Sequence, residues 1–314
     1  MPIGPHPAPL TGLAVGDALG MPFETEPRFS KRIASWTGDF RESTYHKLKP
    51  GQWTDDTKMA RLLAESLLKN KDFDPADIAR RYRAWYRSGD LRGMGKATKQ
   101  ALQRLEDGCP WVHSGVLGAE GNAPAMRAAP IGFYFRYNPK DAMEVARREA
   151  RITHDSDVAA EGAAIVALGV ALITNGTYHS LDQDLGRIMV GRLYPDKPSN
   201  LGYSLTLAIV RAMQKRMYKE PALDGMPGSN AHTIQTIPAA FYAFSASRNY
   251  REAVELAVRA GGDTDTTAAI AGALAGSFYG IDQVQRYLPQ LEDAEALRTL
   301  ESHLYMEAPR PRGH

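Results

Sequence analysis

The stretch Thr11-Gly-Leu-Ala-Val-Gly-Asp-Ala-Leu-Gly-Met-Pro-Phe-Glu24 carries glycine at positions 12, 16 and 20. A four-residue spacing returns to one face of a helix, and glycine has no side chain to hold a neighbour away. The segment therefore predicts a helix that approaches another backbone closely along one face. Working outward, the same helical periodicity recurs. Met59, Leu62, Leu63 and Leu67 share one helix face, and Ala253, Leu256, Ala257 and Ala260 share another. Further helices are predicted over roughly 76–87, 96–106, 141–150, 158–173, 182–192, 203–218, 231–245, 265–277 and 293–304, while strand alternation is nearly absent. The Gly/Pro-rich stretches at 107–132 and 219–230 read as loops between helices and not as domain linkers. The expected fold is all-α: a single compact multi-helix domain over 1–306, followed by a disordered tail at 307–314.

With 314 residues, 43% hydrophobic and 24% charged, the chain has the composition of a globular protein with a sizeable core. Its 38 basic and 36 acidic residues leave a net charge of +2, too weak a field to capture nucleic acid or an anionic membrane surface. A lone cysteine, Cys109, can form neither an intramolecular disulfide nor a thiolate metal site, and it fits a reducing compartment. The N-terminal MPIGPHPAPL lacks the basic-then-apolar pattern of a secretory signal, so the expected location is cytoplasmic. The longest apolar run, Gly162 to Ile173, is shorter than the ~20 residues of a membrane span and predicts a buried helix.

Two acidic clusters precede predicted helices. In Gly51-Gln-Trp-Thr-Asp-Asp-Thr, the residues Thr54, Asp55 and Asp56 stand where side-chain oxygens ordinarily cap a helix. In Gly261-Gly-Asp-Thr-Asp-Thr-Thr, Asp263 and Asp265 together exceed what one cap position can use. Were the two helix starts to meet, four carboxylates and two threonine hydroxyls would form an all-oxygen nest whose repulsion divalent cations relieve best. Hard oxygen donors favour Mg2+ or Mn2+, and no HExxH or Cys/His spacing argues for softer ions. Glu24, read alone, is a solvated surface charge. Tyr82, Trp85 and Tyr86 are interleaved with arginines between Arg80 and Arg104, a pattern that fits snorkelling side chains better than a nucleic-acid platform.

The ordered segments Gly16-Asp-Ala-Leu-Gly, Gly51-Gln-Trp-Thr-Asp-Asp-Thr, Gly121-Asn-Ala-Pro-Ala-Met-Arg, Thr153-His and Gly261-Gly-Asp-Thr-Asp-Thr resemble the motifs of the ADP-ribosylglycohydrolase family. The resemblance implies that Thr54, Asp55, Asp56, Asp263, Asp265 and Thr266 ligate two divalent cations, Mg2+ or Mn2+. It places Glu24 beside them as the acid that touches metal or handles the reacting water, with Asp56 the other catalytic candidate. It gives Gly118, Gly121 and Asn122 contacts to the pyrophosphate and ribose, and His154 a ligand contact without a role in metal binding.

The implied activity is removal of ADP-ribose by cleavage of its C1″ glycosidic bond. The partner is an ADP-ribosylated substrate, first a protein and second a nucleic acid, with no membrane involved. Two departures from the family are visible. Ala123 stands where the family usually has glycine, and Arg92-Gly-Met-Gly-Lys replaces the Phe-Asp-Ile-Gly of arginine-directed members. The second removes an acidic partner for a guanidinium. The alternative class is an inactive ADP-ribose-binding or toxin-neutralising protein of the same fold. A phosphohydrolase acting on the pyrophosphate would use the same ions but draws no support from the family motifs.

Overall fold

A computed structural model describes residues 6–181, 185–193 and 228–310. The main helices, in chain order, are α1 (Pro9–Gly20), α2 (Asp55–Asn70), α3 (Pro75–Ser88), α4 (Lys96–Glu106), α5 (Pro139–Ala150), α6 (Asp157–Thr174), α7 (Leu185–Leu193), α8 (Thr233–Ala246), α9 (Tyr250–Arg259), α10 (Thr264–Tyr279) and α11 (Ala294–Glu307). Among the described residues, the only sheet is a parallel pair of two-residue strands, β1 (Val116–Leu117) and β2 (His154–Asp155), with Val116 opposite His154. The all-α expectation holds. The predicted helix at 203–218 lies outside the described residues. The 107–132 stretch is not wholly loop, because short helices at Ala123–Met126 and Ala129–Tyr134 start with proline in their first turn, where no N–H is needed.

The helices sort into two kinds. α1, α6 and α10 are apolar on every face and almost wholly buried, so they form the centre. α2, α3, α4, α5 and α9 are two-faced and wrap them. α6 is long and apolar enough to cross a membrane by composition, yet it lies inside the protein with Ala163 through Leu172 inaccessible.

α1 lies directly on α10, the most extensive helix pairing among the described residues. A β-carbon at Gly16 would fall 2.7 Å from the carbonyl carbon of Ala268, and one at Gly20 would fall 2.7 Å from Asp265 Cα. The contact is reciprocal, since Gly272 and Gly276 of α10 abut Gly12. The obstructing atoms are backbone and cannot step aside. Gly16→Ala should therefore lower the unfolding free energy by about 3 kcal/mol or more, read from urea denaturation in chelator. An unchanged midpoint would show that the seam can open cheaply.

The last helix closes on the first. Glu301 of α11 is buried and accepts hydrogen bonds from Leu10 N (2.6 Å), Thr11 N (3.0 Å) and Thr11 Oγ1 (2.6 Å), serving the orphan N–H groups at the start of α1. Burial raises its carboxyl from 4.5 to about 7 in spite of these donors. The folded chain thus holds this proton more tightly than the unfolded one, and Glu301 costs stability as pH climbs from 4.5 through 7. Glu301→Gln keeps an acceptor and removes the charge. Relative to wild type, this variant should be more stable at pH 8 than at pH 5 in parallel urea titrations, and a constant difference would contradict the assignment.

Candidate metal and ligand site

The seam brings the two acidic helix starts together. Asp17 of α1 is completely buried and reaches the start of α2, accepting from Thr54 N (3.0 Å), Thr54 Oγ1 (2.9 Å), Thr57 N (3.1 Å) and Thr57 Oγ1 (2.6 Å). A residue of another helix thus does the capping that sequence would assign to Thr54, Asp55 or Asp56. Burial lifts the Asp17 carboxyl to about 6, with the four donors pulling it back.

Freed from capping, the remaining acids face one another. Asp55 is raised well above the ordinary carboxylate range by burial, then by Asp17, Glu24 and Asp263. Asp56 is raised likewise by burial and by Asp17, Asp55 and Asp263. Asp265 follows, through burial and through Glu24, Asp263 and Asp56. These mutual repulsions place Glu24, Asp55, Asp56, Asp263 and Asp265 in one cluster. Asp263 stands at the N-cap position of α10, yet its carboxylate caps nothing. It accepts instead from Asn122 Nδ2 at 2.7 Å. Thr54 Oγ1 lies 3.2 Å from Asp56 Oδ2, and Thr266 is buried one residue beyond Asp265.

This donor set fits divalent cations. Asp56 Oδ1 and Asp265 Oδ1 are buried with no hydrogen-bond partner, an arrangement that costs free energy unless a cation or proton satisfies it. The donors that Thr54, Asp55, Asp56, Asp263, Asp265 and Thr266 would contribute are hard oxygens.

Two residues at the cluster escaped sequence reading. Asp17 lay within a motif and received no role. His46, on a turn closed by the Ser43–Leu48 bridge, contacts Glu24 Oε2 through Nε2 and lies 3.9 Å from Asp265 Oδ2. A solitary histidine in Ser-Thr-Tyr-His-Lys has no spacing signal that would have found it. Glu24, with its side chain 23% exposed, marks the open side of the cluster.

The proposed ligand loop is placed in part. Gly121 lies beside His154, since a β-carbon there would come 3.0 Å from its Nε2. Asn122 is turned inward, its Nδ2 on Thr236 Oγ1 (2.8 Å) and Asp263, so it positions an acid and is not aimed outward. Gly118 is exposed with φ +70, and its N–H is already given to Asp155 O at 2.8 Å. His154 caps no helix. It is buried, and its Nδ1 lies 2.9 Å from Thr153 Oγ1, which itself accepts from Arg127 Nη2 at 2.7 Å. The ring's other nitrogen, Nε2, faces Gly121. Burial, then Arg127, depresses His154 to about 3, so this ring is neutral across the working range. Arg127 is anchored by Glu149 (2.9 Å), which also accepts from Tyr82 at 2.8 Å.

Gly93, at φ +76, packs on the cluster from the other side, 2.8 Å from Thr54 Cβ by the position its β-carbon would take. The Arg92–Lys96 segment is therefore a wall of the site. Arg92 binds Asp90 (2.9 Å) and Glu292 (2.7 Å), so Asp90 is engaged. Farther along that face, Tyr82 and Trp85 are buried, Arg81 pairs with Asp77 and Arg87 with Glu106. It presents paired arginines and not a row of open rings.

An all-α domain whose seam unites two Asp-rich helix starts is the architecture of the ADP-ribosylglycohydrolases, and residues 8–313 match that family. The chain belongs to it, a family of glycosidic-bond hydrolases. It is 33% identical over 300 residues to an uncharacterised protein of Archaeoglobus fulgidus, covering 94% of each chain. It is 28% identical to ADP-ribosylarginine hydrolase Tri1 of Pseudomonas putida, covering 96% of this chain and 77% of that one. A solved structure, an ADP-ribosylglycohydrolase-related protein complex, superimposes with a TM-score of 0.76 at 34% identity over 96% of this chain and 97% of that one.

The cluster separates acids by task. Asp17→Ala would strand three buried donors, Thr54 N, Thr57 N and Thr57 Oγ1, and should destabilise the protein by at least about 3 kcal/mol. Asp55→Asn removes a buried charge among like charges and should instead stabilise the metal-free protein, increasingly so as pH rises above the ordinary carboxyl range. Thermal unfolding in chelator at pH 5 and 8 checks both; a destabilised Asp55→Asn would mean that the acids are not in mutual repulsion.

Proposed function

We propose that this protein is a metal-dependent ADP-ribosyl hydrolase that cleaves the C1″ glycosidic bond joining ADP-ribose to an acceptor. The observation that carries the reading is the pair of buried, unpartnered carboxylate oxygens, Asp56 Oδ1 and Asp265 Oδ1, at the meeting of two Asp-rich helix starts. Thr54, Asp55, Asp56, Asp263, Asp265 and Thr266 would hold two divalent cations, Mg2+ or Mn2+. Bound there, the ions would fix the ribose hydroxyls and lower the pKa of a water.

The chain's own groups do the rest. Of the two catalytic candidates, Glu24 stands at the open edge of the cluster, where it can take a proton from the attacking water and return it to the leaving atom. Asp56, only 1% exposed and tied to Thr54, serves as a holding group. Asn122 keeps Asp263 in place by its 2.7 Å hydrogen bond. His154 presents the Nε2 of a neutral ring beside Gly121, suited to a hydrogen bond with a ligand hydroxyl. The oxocarbenium-like transition state is electron-poor at the ribose, and surrounding carboxylates favour it electrostatically. The substrate is an ADP-ribosylated protein. Because the Arg92–Lys96 wall shows no free carboxylate to a guanidinium, hydroxyl- and base-linked ADP-ribose stand beside the arginine linkage named in the Pseudomonas putida relative. A single cysteine agrees with a cytoplasmic setting.

Release of free ADP-ribose from arginine-, serine- and nucleic-acid-linked substrates is the direct test. We expect release from one linkage with Mg2+ or Mn2+ and none with chelator. Asp265→Ala should lose about a thousandfold or more in turnover and His154→Ala about tenfold, since one holds the site together and the other orients ligand. Equal losses would contradict these roles, and tight binding of ADP-ribose without release from any substrate would favour a non-hydrolytic binding protein.

A further inference from the structure

We propose that His46 is itself a metal ligand, so that one of the two cation positions has a mixed nitrogen and oxygen donor set and prefers a first-row transition ion such as Mn2+ to Mg2+. This rests on the metal-dependent reading above and concerns a residue outside its all-oxygen set.

The turn that carries His46 is built to aim it. Ser43 N bonds Leu48 O at 2.9 Å, Leu48 N bonds Ser43 O at 3.2 Å, and His46 N bonds Ser43 Oγ at 3.1 Å. Phe40 and Leu48 anchor the segment in the interior, and the Tyr45 ring lies edge-on to the imidazole at 4.8 Å between centroids. The imidazole is only 7% exposed although it sits on a surface turn. Its Nε2 points at two carboxylates and not at one. Single donor atoms of Glu24, His46 and Asp265 all lie within 4.8 Å of one another. Donors each about 2.0–2.2 Å from a common ion can be at most roughly 4.4 Å apart, so the outer span of the three exceeds that limit by about half an ångström or less, while the His46 Nε2–Glu24 Oε2 contact must open to admit the ion.

A second observation points to the same ion. Asp265 is 4% exposed, and its Oδ1 is buried with no partner. A simple His46–Glu24 ion pair would leave the buried Asp265 carboxylate without a cation, whereas an ion between the three side chains neutralises it. Imidazole nitrogen favours transition ions over Mg2+, which prefers oxygen and water. Absence of HExxH or paired Cys/His spacing is no argument against such a ligand, because His46 comes from a turn remote in sequence from both acidic clusters.

The test is pulsed EPR of the full-length protein loaded with Mn2+, together with calorimetric titration of Mn2+ and Mg2+. Wild type should show the nitrogen hyperfine coupling of a directly bound imidazole. His46→Ala should lose that coupling and weaken one of two Mn2+ sites at least tenfold, while Mg2+ affinity changes less than threefold. Tyr45→Ala should retain the coupling. Bound Mn2+ without nitrogen coupling in wild type would overturn the assignment of His46 and leave the metal centre standing. Coupling that persists in His46→Ala would also overturn it, by showing that another nitrogen binds. Failure of wild type to bind Mn2+ at all would overturn this inference and the metal-dependent reading together.

Discussion

The backbone-to-backbone contact of α1 with α10 is the constraint on which the site depends. Gly20 sits against Thr264 and Asp265, so the distance between the end of α1 and the start of α10 is fixed by covalent geometry and not by adjustable side chains. Asp17, one turn earlier on α1, then holds the start of α2 through Thr54 and Thr57. Three helix ends are thereby registered against each other with little freedom. A site that needs several carboxylates placed within tenths of an ångström gains from such a frame, since a looser seam of side chains would let repulsion spread the acids apart.

That frame stores unfavourable electrostatics. Asp55, Asp56 and Asp265 are each pushed well above the usual carboxylate range, by burial first and by one another second. Nothing in a helix cap or a core requires this, and a fold selected for stability alone would place apolar residues there. The arrangement makes sense as a vessel for positive charge, and the rest of the fold must offset it. The apolar helices α6 and α10, together with the buried Arg127–Glu149–Tyr82 network, supply the rigidity around it.

Much of this was legible in sequence, and the pattern of what was not is physical. Helices announce themselves by periodicity, so α3, α4, α6 and α10 stand near where spacing put them, and glycine every fourth residue forecast the seam. The two Asp-rich runs were conspicuous because each carries more carboxylate than a cap can use. Residues that act alone across space leave no such mark. Asp17 caps a helix 37 residues away, His46 enters from a turn, and Arg127 reaches Thr153 from the end of a proline-started short helix. Asn122 shows the converse: its motif pointed to ligand, yet its amide is used on Asp263 and Thr236. The 107–132 stretch looked like loop because proline marks helix starts as readily as it marks breaks.

The two sides of the cluster differ in how they are held, and the difference bears on mechanism. Asp55, Asp56 and Asp265 sit in the first turns of two long helices, α2 and α10. Glu24 follows a three-residue 3-10 turn, with Thr25 at φ +71, and belongs to no long helix, its backbone held by the Thr25 N–Gly262 O and Gly262 N–Glu26 O hydrogen bonds of 2.8 Å each. A rigid side suits groups whose task is to fix charge in space. A side chain at the open edge of a held turn suits a group that must meet water and exchange a proton. Glu24 is therefore held by its backbone and open at its carboxylate, which is what a group shuttling a proton at the edge of the cluster requires.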